Sequence, residues 1–213
     1  MSDVILSRLQ DTGVVAIIRG ISENKMTHLV QALYQGGVRL VEVTLNTDGA
    51  LDAIESLREK FGDTMSVGAG TVLNEQHALI AKERGAEFFV TPNVDEHVID
   101  IGVKAGIPVM AGAMTPTEIY KAYQAGAAFV KVFPAGTLGA RYIKEVRGPL
   151  SYIPLMGVGG VSLDNARELL DAGVVALGLG GSLIDKAAVD REDYDVIAKK
   201  AQAFVELYRD FRK

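Results

Sequence analysis

Residues 106–136 read GIPVMAGAMTPTEIYKAYQAGAAFVKVFPAG. The stretch holds one structural phrase and the start of its repetition. Gly106 opens an apolar run, IPVMAGA, which gives way to a polar segment and then to a second glycine, Gly126, and a second apolar run, AAFVKVFPA. Both runs are short and strand-like, bounded by turn residues. Between them TPTE, residues 115–118, is a capping-box pattern, with Thr115 as N-cap, Pro116 at the first helical position and Glu118 reaching back. Glycine ends a helix at least cost, because the cap favours positive φ. A helix-end glycine followed by a strand is one helix-to-strand joint.

Outward from this unit the phrase recurs. The joint glycines are Gly13, Gly37, Gly62, Gly85, Gly106, Gly126, Gly148 and Gly173, at intervals of 24, 25, 23, 21, 20, 22 and 25 residues. Behind them stand VVAIIR, VRLVEVT, DTMSVGAG, AEFFVTPN, IPVMAGA, AAFVKVFPA, the run from Pro149 to IPLMGVGG, and VVALGLGG. Eight strand–helix units without a break in composition predict a single (β/α)8 TIM barrel over residues 1–213, short for its class. A doubly wound open sheet is the alternative, but such sheets usually hold about five or six strands. Residues 3–9 are expected to form a short N-terminal helix. Ile197, Ala201, Phe204, Val205, Tyr208 and Phe211 lie at helical spacing and predict an amphipathic closing helix.

Composition narrows the function. A net charge of −5 argues against nucleic acid as the main partner. No apolar stretch is long enough to span a membrane, and MSDVILSRLQ lacks the apolar core of a signal peptide. The chain has no cysteine, so disulfides, thiolate metal sites and cysteine nucleophiles are excluded. A soluble cytoplasmic protein is expected.

In this fold the active site lies at the C-terminal ends of the strands. Charged residues within the strand runs are few: Arg19, Arg39, Glu42 and Lys131. Alternation puts Leu40, Glu42 and Thr44 on one face and Arg39 and Val41 on the other, and groups Phe129, Lys131 and Phe133. Glu42 and Lys131 are therefore expected inside the barrel mouth. One reading is a lysine that snorkels, or a buried ion pair. The other is a reactive amine: burial beside Val130, Val132 and Phe133 lowers the pKa of an amine from about 10.4 and frees the nucleophile. Such a lysine attacks a ketone to form an iminium ion, an electron sink for making or breaking C–C bonds, with Glu42 shuttling protons.

The loops after strands 7 and 8 read GVGGVS (157–162) and GLGGS (178–182). These are the positions of the phosphate site in this fold, where glycines let backbone N–H groups approach an anion. Tight turns are the competing explanation. Gly159, Gly160, Gly180, Gly181 and Ser182 are the candidate phosphate ligands. Arg19 is placed to hold a carboxylate or phosphate, or to form a rim salt bridge. His28, His77 and His97 fall in helical segments without ligand spacing, so neither metal nor cofactor is expected.

The motifs AIIRG (16–20), VEVTLNT (41–47), VGAGTVL (67–73), VTPN (90–93), VKVFPAG (130–136), GVGGVS (157–162) and LGGSL (179–183) together resemble the 2-keto-3-deoxy-6-phosphogluconate (KDPG) and 4-hydroxy-2-oxoglutarate (KHG) aldolases, over nearly the whole chain. The resemblance implies a homotrimeric Schiff-base aldolase that cleaves a 2-keto-3-deoxy-6-phosphosugar acid to pyruvate and glyceraldehyde 3-phosphate, and leaves 4-hydroxy-2-oxoglutarate open as a second substrate. It implies Lys131 as the Schiff-base lysine and Glu42 as general acid/base. By the same likeness Arg19 and Thr71 surround the pyruvyl portion, Pro92 and Phe133 shape the pocket, and the four glycines with Ser182 hold the phosphate. Many family members carry Pro-Thr-Gly-Gly where this chain has Gly157-Val158-Gly159-Gly160, and some have arginine where Asn46 stands. Both differences resemble the galactonate-specific branch. Val158 then sits at the substrate without the hydroxyl that could bond a substrate hydroxyl. A phosphate-binding barrel isomerase or synthase without imine chemistry, and a non-catalytic sugar-phosphate-binding barrel, are the competing functions.

Overall fold

A computed structural model describes residues 2–213. Eight parallel strands form a closed barrel in chain order: β1 (Val14–Ile18), β2 (Leu40–Thr44), β3 (Ser66–Gly70), β4 (Phe89–Val90), β5 (Val109–Ala113), β6 (Phe129–Val132), β7 (Leu155–Val158) and β8 (Ala176–Leu179), with β8 pairing back onto β1. The helices are α1 (Ser2–Thr12), α2 (Glu23–Gln35), α3 (Ala50–Phe61), α4 (Glu75–Glu83), α5 (Glu96–Ala105), α6 (Pro116–Gln124), α7 (Ala135–Arg147), α8 (Leu163–Asp171), α9 (Lys186–Asp190) and α10 (Tyr194–Arg212). The closed sheet bears out the (β/α)8 expectation. Among the described residues no helix is long and apolar enough to cross a membrane.

Strand alternation divides the apolar residues into two layers. Val41 and Val43 of β2 join the large cluster between sheet and helices, while Leu40 joins a smaller cluster inside the barrel with Val15, Met110, Phe129 and Met156. Each fully buried side chain of this size contributes about 1.5–3 kcal/mol, so a one-residue slip of β2 would exchange its two faces and forfeit both layers. Ile5 and Leu9 of α1 belong to the inner cluster and close the N-terminal end of the barrel. The expected tail helix is α10, which buries Ile197, Ala201, Phe204, Val205 and Tyr208.

The capping box of α6 forms as read: Thr115 N–H donates to Glu118 Oε2 at 2.8 Å, and Glu118 N–H donates to Thr115 Oγ1 at 3.3 Å. Six of the eight joint glycines have positive φ. Gly62 and Gly148 do not; both are right-handed, at φ −55° and −51°. After Gly62 the chain keeps turning, with Thr64 and Met65 N–H both bonded to Phe61 C=O. After Gly148, Leu150 N–H bonds to Val146 C=O, so helical geometry runs past the glycine. Gly13 is constrained twice, because a Cβ there would overlap the Tyr208 ring as well as strain φ.

Candidate active site

Glu42 is the central residue of β2 and Lys131 the third of β6, both facing into the barrel as alternation predicts. They are 2% and 6% exposed, so Lys131 does not snorkel. Among the described residues the two do not form an ion pair, and Glu42 Oε2 has no hydrogen-bond partner. Burial pushes the Glu42 carboxyl up to about 6, against the opposing pull of Lys131 and Arg19. Burial likewise lowers the Lys131 ammonium; Glu42 resists that shift and Arg19 adds to it. Two groups that are ordinarily far apart in pKa are thus drawn toward neutrality from opposite sides, the condition for proton transfer between them and a substrate.

The room for this arrangement comes from glycines. A Cβ at Gly70, the last residue of β3, would stand 2.6 Å from Glu42 Oε1. On β5, Gly112 is in register with Lys131, so no side chain flanks the lysine from that strand. Next to Gly70, Thr71 has φ 56°, a left-handed conformation that is a true outlier for a β-branched residue. Such strain costs about 1–3 kcal/mol and clusters at functional sites.

Above the lysine lies a cavity of about 560 Å³. Its walls include Arg19, Thr71, Pro92, Lys131, Phe133, Val158, Gly159, Gly160, Gly180, Gly181 and Ser182. The candidate catalytic, substrate and phosphate residues therefore converge on one space, except Glu42, which is buried and does not line it. Phe133 differs from expectation. It is 40% exposed, its ring centroid 5.2 Å from Lys131 Nζ, so it forms part of the rim and contributes little to burying the amine. Arg39 points outside, its guanidinium bonded to Tyr34 and Val38 carbonyls. Asn46 is exposed and does not line the cavity. Arg19 forms no ion pair among the described residues, so the rim-bridge reading of it fails.

The glycine loops are of two kinds. The β7 loop is tied to the β6 loop: Gly136 N–H donates to Gly159 C=O at 2.7 Å, and a Cβ at Gly136 would overlap Gly160 C=O. Gly159 and Gly160 have φ 85° and 69°. Gly180 and Gly181 have no such constraint, because a Cβ on either would meet nothing within 4 Å and neither has positive φ. Neither backbone conformation nor packing requires glycine there, and without a Cβ the backbone is open to the cavity. Val158 is buried, with Cγ2 2.7 Å from where a Cβ at Gly178 would stand.

Sequence reasoning missed Ile17, Val161, Ile184, Asp185, Lys186 and Ala187, which also line the cavity. Ile17 was accessible, since it alternates with Val15 on the inner face of β1. The segment 184–187 carries no motif, and only the turn after β8 brings it over the mouth.

The family described as KDPG and KHG aldolase matches residues 5–200. A 2-dehydro-3-deoxy-6-phosphogalactonate aldolase of Escherichia coli (strain K12) is 34% identical over 198 residues, covering 92% of this chain and 95% of that protein. A KHG/KDPG aldolase of the same organism is 35% identical over 195 residues, covering 89% and 91%. The solved structure of KDPG aldolase from Legionella pneumophila, with pyruvate captured at low pH as a covalent carbinolamine intermediate, has a TM-score of 0.87 at 26% identity, over 93% of this chain and 96% of that one. With a family match over most of its length, a closed barrel and a desolvated lysine at its mouth, the chain belongs to the KDPG and KHG aldolases and is an aldolase of the Schiff-base class.

Proposed function

We propose that this chain reversibly cleaves a 2-keto-3-deoxy-6-phosphosugar acid to pyruvate and glyceraldehyde 3-phosphate, with Lys131 as nucleophile and Glu42 as proton shuttle. The observation that carries the assignment is the pair itself: a buried amine of lowered pKa and a buried carboxyl raised to about 6, with no ion pair between them. The neutral amine of Lys131 attacks the C2 ketone, and the resulting carbinolamine loses water to give an iminium. Glu42 takes the C4 hydroxyl proton, directly or through a water. The C3–C4 bond then breaks, its electron pair passing into the iminium to form an enamine, and the aldehyde departs. Protonation at C3 and hydrolysis release pyruvate and regenerate the amine. Arg19 supports the substrate carboxylate, and Gly159, Gly160, Gly180, Gly181 and Ser182 receive the phosphate.

Borohydride with pyruvate should reduce the imine to a stable adduct on Lys131, located by peptide mass spectrometry. No adduct in the parent, or an equal adduct in Lys131→Ala, overturns the assignment.

For the epimer, Val158 supports a galactonate preference, because valine offers no hydroxyl to a substrate hydroxyl. Parallel assays on the gluconate and galactonate epimers, repeated with Val158→Thr, test this; a preference unmoved by the substitution removes Val158 from the specificity. A homotrimer in the cytoplasm is the proposed working form, supported by the family resemblance and by exposed Tyr120, Tyr123 and Tyr152 on one flank. Light scattering at a mass other than three chains refutes the trimer.

A further inference from the structure

The cavity holds two cations that neither the catalytic pair nor any ion pair accounts for, Arg19 and Lys186. Both are exposed, and among the described residues neither contacts a carboxylate. Arg19 acts on the charges of both Glu42 and Lys131. Lys186 lines the same cavity as Gly180, Gly181 and Ser182, four to six residues after them in the chain.

Its placement depends on a neighbouring glycine. Lys186 Nζ lies 2.9 Å from where a Cβ on Gly20 would stand, so a side chain at position 20 would displace the ammonium. The Gly20 loop is itself fixed, with Gly20 N–H donating to Thr47 Oγ1 at 2.9 Å. The acid next in sequence does not neutralise the lysine. Asp185 accepts the Ala188 N–H at 3.2 Å and lies 3.6 Å from Lys200. In a chain of net charge −5, an ammonium left unpaired at a cavity mouth is a site for an external anion.

We infer that Lys186 is a specificity-determining residue that selects phosphorylated over unphosphorylated substrates by pairing with the terminal phosphate. This rests on the aldolase reading above. A substrate that carries both a carboxylate and a phosphate matches a cavity lined by two cations that no protein carboxylate pairs. Gly180 and Gly181 let the phosphate come close to the backbone, and Lys186 supplies the charge that their N–H groups lack.

The test is the ratio of kcat/KM for the 6-phosphorylated keto-deoxy acid to kcat/KM for 4-hydroxy-2-oxoglutarate. Lys186→Gln is expected to lower that ratio about tenfold, chiefly through KM for the phosphorylated substrate, as befits a charge-assisted contact. The loss should shrink as ionic strength rises. Lys186→Arg should keep the ratio within about threefold. Inorganic phosphate should inhibit the parent and inhibit Lys186→Gln several-fold less. A ratio unmoved by Lys186→Gln, whether both activities fall together or neither does, overturns the inference. Should the parent fail to trap pyruvate, the aldolase assignment fails instead. Titration of parent and Lys186→Gln with inorganic phosphate then decides the role of Lys186 separately: weaker binding in the variant supports it, and equal binding refutes it.

Discussion

Glu87 and Glu42 are both buried carboxylates in the strand frame, at opposite ends of the barrel, and the fold treats them differently. Glu87, 6% exposed and just ahead of β4, accepts the Val67 N–H at 2.9 Å and pairs with Arg58 at 2.9 Å through the same oxygen. Glu42 leaves Oε2 without a partner, although it is deeper still. Glu87 has a backbone donor and a cation within 2.9 Å, although Arg58 Nη1 itself lacks a well-aligned hydrogen bond; around Glu42 a glycine has removed the nearest side chain. The carboxylate near the N-terminal end is bonded by the protein, and the one proposed to do chemistry keeps an oxygen that the protein does not satisfy.

The sharpest way to break this comparison is at Lys131. Lys131→Met should cost about 10⁴-fold or more in kcat, read by coupled pyruvate release, because the proposed imine forms on Lys131. The same variant should unfold at higher urea, because an unpaired buried amine is replaced by an apolar chain of similar size. A variant with lost activity and lower stability would make Lys131 a structural residue.

Glu87 tests the opposite end. Glu87→Ala strands Arg58 and the Val67 N–H, and should lower stability by about 3–5 kcal/mol in urea titration. Glu42→Gln should lower activity by about 10²- to 10⁴-fold without loss of stability at pH 8. If Glu42→Gln is the more destabilising of the two, the contrast between the ends does not hold.

The pH dependence sharpens the contrast further. The folded chain holds the Glu42 proton more tightly than the unfolded chain, at about 6 against 4.5. Ionising this carboxyl therefore costs stability: the cost is absent below pH 4.5, builds between 4.5 and 6, and is complete above 6. Relative to Glu42→Gln, the parent should lose about 2 kcal/mol across that window, measured as the difference between urea curves at pH 4.5 and 7.5. In the same region kcat/KM of the parent should fall as pH drops through about 6, where Glu42 ceases to act as a base. An acid limb unchanged in Glu42→Gln would assign it to another group.

The smallest effect is expected at Thr71. Relief of its left-handed strain, about 1–3 kcal/mol, outweighs the roughly 0.5–1 kcal/mol that glycine adds to the entropy lost on folding. Thr71→Gly should thus be more stable by about 1 kcal/mol and yet less active, in paired thermal-melt and kcat/KM measurements.

The periodicity of the chain made the barrel legible, because a glycine at each joint and a β-branched run behind it are local signals. Even there Gly62 and Gly148 took right-handed geometry, since the residues after them, not the glycine, decide how far the helix turns. Alternation sufficed for Glu42 and Lys131, each fixed by its own strand. What could not be read was mutual: Gly70 making room for Glu42, the β6 and β7 loops bonded at Gly136, and Lys186 resting over Gly20. These relations join residues about 25 to 170 positions apart and leave no periodic trace in the sequence.

The α1 helix has a consequence beyond its packing. With Ile5 and Leu9 sealing one end of the barrel, the cavity is a cul-de-sac with Lys131 at its floor and the glycine loops at its entrance. Traffic in such a space is last in, first out. In cleavage the phosphorylated aldehyde must leave before the pyruvate held beneath it, and in synthesis pyruvate must enter first. Product inhibition should show this order, with pyruvate competitive against the sugar acid and glyceraldehyde 3-phosphate noncompetitive.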